Sequence, residues 1–171
     1  YDHNGNMVRD EINKNYDAVY DYRNLLIYIS SVRYEDAGDS KKATTYVTRY
    51  YYDEAGNRTR KMVFKSDEDE VDPPDWDNMT DVGKWILVAN EFYVRDAAGK
   101  EIADYTSNGL SFWNIYGSDN VGRINADTTK QFYLNDHLGT TRAVVDASNT
   151  LYASYDFDAW GYKLREWNSS D

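Results

Sequence analysis

The sequence predicts an all-β fold in which successive antiparallel hairpins form a long twisted sheet. Three observations carry that prediction. Strand-forming residues are abundant: aromatics make up 16% of the chain, with 17 Tyr and 5 Trp, while Pro occurs only twice. An apolar ring with a polar tip suits a half-buried sheet face better than a helix interior. Runs of strand length rich in Tyr, Val, Ile and Thr recur between turn signals. Finally, one phrase is spelled twice, as Tyr1-Asp2-x-x-Gly5-Asn6 and as Tyr52-Asp53-x-x-Gly56-Asn57.

The phrase itself reads as a turn. Asp bonds the backbone ahead of it, and Gly accepts positive φ. A looser copy holds Asp96 and Gly99, and another has Asp146 with Asn149 at the glycine position. Asn is among the few residues that tolerate the left-handed region. The shorter echoes Tyr16-Asp17, Tyr20-Asp21 and Tyr155-Asp156 lack the glycine, so the array is degenerate. The Tyr ahead of each Asp is expected at a strand end, stacked over a neighbouring strand.

The elements follow in order. LLIYISSVRY (25–34) is strand-like, and ATTYVTRYYYD (43–53) enters the turn at EAGN that RTRKMVFK (58–65) leaves. SDEDEVDPPDWD (66–77) holds seven carboxylates with no cation and reads as a solvated loop. It lacks the ligand spacing and glycine of a calcium loop. DNMTDVGK (77–84) suits one short helical turn, capped by Asp77 and stopped by Gly83. Strands resume at KWILVANEFYV (84–94), KEIADYTS (100–107), LSFWNIYG (110–117) and KQFYLND (130–136). TRAVVD (141–146), TLYASYDFD (150–158) and YKLREW (162–167) bring the expected total to about ten to twelve strands.

Charge and composition remove several function classes. A net charge of −11 repels nucleic acid, so no nucleic-acid partner is expected. With no cysteine there is no disulfide, thiolate nucleophile or Cys-based zinc site. No apolar run reaches the length of a membrane helix. Tyr1 in place of an initiator Met, inside a repeat phrase, suggests a piece of a longer product.

Chemistry-bearing motifs are sparse. No Gly-x-Ser-x-Gly, P-loop or His-Glu-x-x-His occurs. His137 follows Asp136 in LNDHLG, and adjacent residues of a strand face opposite ways, so the two are not read as an acid–base pair. His3 lies in a repeat turn, far from His137 in sequence, and the pair gives no metal-ligand spacing. No catalytic, cofactor-binding or metal-binding residue is assigned, and no cofactor is expected. Exposed Tyr and Trp would suit stacking against sugars. Three Asn-x-Ser/Thr sequons, at Asn57, Asn78 and Asn168, are read as coincidental.

The repeats resemble the YD-repeat, or RHS-repeat, family. YVRDAAGKEIADY, WNIYGSDNVGRI and FYLNDHLGTTRAVVDASNTLYASYDFDAWG are similar in order and spacing to the RHS-repeat-associated core region. The most specific stretch is Tyr133-Leu134-x-Asp136-His137-Leu138-Gly139-x-x-Arg142. The resemblance divides the single segment into YD repeats (1–65), an acidic insertion loop (66–83) and a core-like part (84–171). Two departures stand out. Asp158-Ala159-Trp160-Gly161 replaces the family's Asp-Pro-aromatic-Gly turn, and the family's downstream Asp-Pro-x-Gly-Leu cleavage segment does not occur through Asp171.

The resemblance implies a section of β-strip or shell wall from a large secreted or cell-surface protein, without catalysis of its own. Its implied partners are the remainder of the parent chain, or copies of itself, through open sheet edges, and an enclosed toxin. The alternative is an adhesion module that binds carbohydrate through aromatic stripes. A third reading is part of an autoproteolytic toxin-delivery protein whose cleavage motif lies beyond residue 171.

Overall fold

A computed structural model of the chain describes residues 1–37, 40–66 and 85–169. The described residues contain strands and turns and no helix. Among the described residues twelve strands form an antiparallel sheet whose order is the sequence order. They are β1 (Asn15–Tyr20), β2 (Leu26–Ala37), β3 (Ser40–Tyr52), β4 (Arg58–Ser66), β5 (Ile86–Arg95), β6 (Glu101–Thr106), β7 (Gly109–Tyr116), β8 (Asn120–Asn125), β9 (Lys130–Asn135), β10 (Thr141–Asp146), β11 (Leu151–Phe157) and β12 (Lys163–Asn168). The all-β fold of successive hairpins is therefore the observed one. Ser66, assigned from sequence to the acidic loop, is the buried last residue of β4. The rest of that loop and the short helical turn with Asp77 and Gly83 lie outside the described residues.

The chain divides into two compact units, Tyr1–Tyr93 and Val94–Asp171. In the first, β2 and β3 pair without interruption from Tyr28↔Arg49 to Ala37↔Ser40. Register then decides which side chains share a face. Ser30, Val47 and Phe64 form one cross-strand row, and Tyr28, Arg49 and Met62 form the next. Tyr28, Val47, Met62, Phe64 and Trp85 make the hydrophobic core, with Ile27 and Tyr51 packed against it. Val47 is 1% exposed and Met62 2%, so each contributes roughly 1.5–3 kcal/mol by burial. Burial, reinforced by the Asp17 carboxylate, pushes the Tyr28 phenol up to about 12.

Cations on this sheet lie over aromatic rings. Arg60 pairs across to Tyr51 and Phe92, and its guanidinium lies 5.5 Å and 4.8 Å from their ring centroids. Lys61, one residue on and facing the other way, holds Glu91 at 3.0 Å, and Tyr93 donates to the same carboxylate at 2.6 Å. The outer edge of β1 is not bare. Ala18 N–H donates to Val8 at 2.9 Å, and Asp10 bridges Asn15.

The second unit is packed on small residues. Ala103 and Ala153 are fully buried, and Val144 is 6% exposed. Gly122 of β8 faces Phe132 of β9 so closely that a Cβ on it would lie 2.2 Å from the Gln131 carbonyl oxygen. Close backbone approach, not a turn, requires glycine there. Arg123 donates to Gln131 at 2.8 Å and lies 5.3 Å from the Phe112 centroid.

Candidate functional site

The feature that recurs through both units is a turn, and its parts are the residues of the repeated phrase. Seven Asp-headed turns occur among the described residues, at Asp2, Asp21, Asp53, Asp96, Asp136, Asp146 and Asp158. At Asp53 the Asp N–H donates to the Asn57 carbonyl (3.0 Å), and the Gly56 N–H donates back to the Asp53 carbonyl (3.2 Å). The residue three places after each Asp has positive φ: 82° at Gly5, 62° at Asn24, 84° at Gly56, 82° at Gly99, 83° at Gly139, 62° at Asn149 and 84° at Gly161. These are three-residue hairpin loops closed by a left-handed residue.

The carboxylate caps its own turn. Oδ1 of Asp136 accepts from the amides of Leu138 and Thr140, both at 3.0 Å. The same two-amide cap is made by Asp2, Asp21, Asp96, Asp146 and Asp158. The second oxygen takes a side chain: Asn6 at Asp2, Asn57 at Asp53, Arg142 at Asp136. Those bonds favour the ionised form. The Asn57 amide, then its backbone N–H, holds Asp53 below the usual carboxylate range, and the Arg142 guanidinium does the same first for Asp136.

A bulge follows five of these turns at a fixed place. After the turns at Asp21, Asp53, Asp136, Asp146 and Asp158, the residue before Asp pairs with the fifth residue beyond it. The residue before that one pairs with the seventh. One residue of the outgoing strand is skipped each time, which bends it and adds right-handed twist.

Tyrosine then links hairpin to hairpin. Tyr52 Oη donates to the Leu26 carbonyl at 2.8 Å, and Leu26 is the fifth residue after Asp21. Tyr20 donates to Met7, the fifth residue after Asp2, at 3.0 Å. Tyr116 donates to Glu101, the fifth residue after Asp96, at 2.8 Å. In all three the acceptor begins the segment leaving the previous turn on the same side of the sheet. The turns also touch directly, through Asn6 Nδ2 to Asn24 Oδ1 (2.9 Å) and Arg23 Nη1 to the Asp53 carbonyl (2.7 Å).

The residues singled out from sequence fall on this scheme unevenly. Asp2, Gly5, Asn6, Asp53, Gly56 and Asn57 build two turns, and Asp136, Gly139 and Arg142 a third. Tyr1, in the position of Tyr52, is exposed, whereas Tyr133 is half-buried in mid-strand, where burial raises its phenol. His137 and Leu138 occupy the exposed tip of the turn. The strand geometry expected for Asp136 and His137 is thus corrected: both lie in the loop. Asp136 directs its carboxylate to Leu138, Thr140 and Arg142. Asp158 and Gly161 form the same turn with Ala159 in place of proline, and Trp160 at its tip is 94% exposed.

Sequence reasoning passed over the turn at Asp21, since Asn24 stands for glycine, although Asn149 carried the same signal. It also missed Asn125 to Thr129, where Thr128 takes φ 70° with no local signal. Among the described residues no three His, Cys, Asp or Glu side chains gather as metal ligands.

No protein-family model matches the chain, and no curated protein matches it in sequence. Among solved structures it is similar to a chain of the Photorhabdus luminescens Tc holotoxin pore, at 12% identity and a TM-score of 0.33. The match covers 90% of this chain and 12% of that one, so this chain spans a small part of its length.

Proposed function

We propose that this chain is a non-catalytic structural segment of a YD-repeat, or RHS-type, protein: a section of β-sheet wall in a secreted or cell-surface assembly. The observation that carries this reading is the Tyr brace. The residues of the repeated phrase commit their polar atoms to turns, and Tyr52 reaches back to the preceding hairpin at Leu26, which is the work of a scaffold. A wall of this kind would enclose a toxin or other cargo. It would pair at its edges with the remainder of the parent chain or with copies of itself.

Intact-mass measurement during incubation, with panels of glycoside and peptide substrates, tests the reading. No self-cleavage and no turnover are expected. Turnover that disappears in Asp136→Asn or His137→Ala would replace the scaffold with an enzyme.

One observation favours a second reading, a carbohydrate-binding surface. Trp160 and Tyr162 are 94% and 72% exposed on the Asp158 turn. A shallow groove of about 800 Å³ nearby is lined by Trp167 together with Arg142, Asp156, Arg165 and Glu166. An exposed ring beside charged hydrogen-bonding groups suits a sugar face. A glycan array run with Trp160→Ala and Trp167→Ala separates the two readings, because a scaffold alone leaves the array blank.

A further inference from the structure

Asn-Gly occurs twice in the chain, at Asn4-Gly5 and at Asn108-Gly109. The dipeptide is reactive because glycine has no side chain to shield its backbone nitrogen from the neighbouring carboxamide. Both pairs lie in exposed turns, and a Cβ on either glycine would meet nothing within 4 Å. They differ in how the loop is held. In the Asp2 turn the carboxylate Oδ1 accepts from the amides of Asn4 (2.9 Å) and Asn6 (2.8 Å), and the Gly5 N–H donates to the Asp2 carbonyl at 3.2 Å. The loop between β6 and β7 is headed by Thr106 instead. Its hydroxyl accepts from the Asn108 amide at 3.2 Å and donates to the Gly109 carbonyl only at 3.5 Å. A neutral hydroxyl thus holds one amide where the carboxylate holds two, and hydrogen bonds to an ionised acceptor are the stronger kind.

We propose that Asn108 is a site of spontaneous deamidation, and that the Asp2 cap shields Asn4 from the same reaction. The Gly109 nitrogen attacks Asn108 Cγ, and the new C–N bond closes a succinimide ring. The Cγ–Nδ2 bond breaks, and ammonia leaves with the proton that the Gly109 nitrogen gives up. Water then opens the ring. Cutting at Cγ gives aspartate, and cutting the original main-chain bond gives isoaspartate. Neither an oxidant nor an enzyme is needed. Attack requires the Asn108 side chain to swing over the Gly109 nitrogen. The loosely held loop permits that movement, whereas the Asp2 carboxylate must first release its amides. Either product adds a carboxylate to a chain of net charge −11. Isoaspartate also adds a main-chain carbon to the short loop between the paired Thr106 and Gly109, so β6 and β7 lose their fit at that end.

The test incubates the full chain in mildly alkaline buffer, with a parallel sample in urea. Tandem mass spectrometry of proteolytic peptides locates each deamidation, and isoaspartyl methylation labels the isomerised product. In the folded chain Asn108 is expected to convert about ten-fold faster than Asn4, the value of one hydrogen bond to a charged group that must open first. In urea the two rates should converge. Asp2→Ala is expected to bring Asn4 up to the rate of Asn108, and Asn108→Gln to remove the fast mass gain. Equal rates at Asn4 and Asn108 in the folded chain overturn the proposal, as does an Asn108 that converts in urea but not when folded. Asn4 staying slow in Asp2→Ala overturns the shielding role of the cap. A fast mass gain that persists in Asn108→Gln assigns the reaction to another residue and overturns the site.

Discussion

Gly56 shows what a single position in the turn requires. A Cβ there would meet Leu25 Cδ1 at an ordinary 3.6 Å, so space is not what selects glycine. The requirement is φ of 84°. Gly56→Val is therefore expected to cost ~1–3 kcal/mol, because a β-branched residue is strained in that region. Gly56→Asn should cost clearly less, since Asn24 and Asn149 hold the equivalent place at 62°. Urea denaturation of the two variants checks the order. The capping carboxylates make a second statement at this scale. Asp2, Asp53 and Asp136 have folded pKa values below the ordinary ones, chiefly through Asn6, Asn57 and Arg142 respectively. The folded chain then binds fewer protons than the unfolded chain as pH falls through the carboxylate range. Their contribution is present above that range and is lost below it. Urea midpoints should fall on acidification from pH 5, and less steeply in Asp53→Asn and Asp136→Asn.

At the scale of the element, the hairpin is the unit and the tyrosine is its link to the next. Tyr52→Phe keeps the ring and removes one hydrogen bond, so a loss of about 0.5–1.5 kcal/mol is expected. Faster amide exchange should localise to the start of β2, where Leu26 accepts the bond. β8 and β9 meet differently. Gly122→Ala puts a methyl group against the Gln131 carbonyl, and backbone cannot yield as a side-chain tip does. A cost of ~1–3 kcal/mol is expected, read from thermal denaturation, with β8 and β9 pushed apart. The strands themselves were legible in the sequence, because period-two patterning and Asp-x-x-Gly punctuation are local. β1 and β8 were not: NYDAVY carries a bulge with Asp17 at φ 49° and reads only as an echo of the repeat, and NVGRIN holds Gly122 in mid-strand, where glycine reads as an interruption. The turn at Asp21 was missed for a related reason: its glycine position holds Asn.

For the molecule as a whole, charge sets the main expectation. With 30 acidic and 19 basic residues, self-repulsion opposes folding, and local pairs such as Lys61 with Glu91 and Arg142 with Asp136 offset it only where they lie. Raising ionic strength from about 0.01 M to 0.15 M shortens the screening length from ~30 Å to ~8 Å, and should raise the unfolding midpoint. A fall in the midpoint would mean that attractive pairs dominate instead.

The sequence by itself determined the strand content, the places of most turns and the identity of the residue that must be left-handed in each. Those depend on φ preferences and on hydrogen bonds a few residues long. Only the tertiary structure decided what the tyrosines are for. Tyr52 is thirty-one residues past Asp21, and nothing local indicates that its hydroxyl will meet the carbonyl of Leu26. That meeting is fixed by the register of β2 on β3 and by the bulge that follows the Asp21 turn. The need for glycine at residue 122 arises in the same way, from two backbones brought together by pairing across strands.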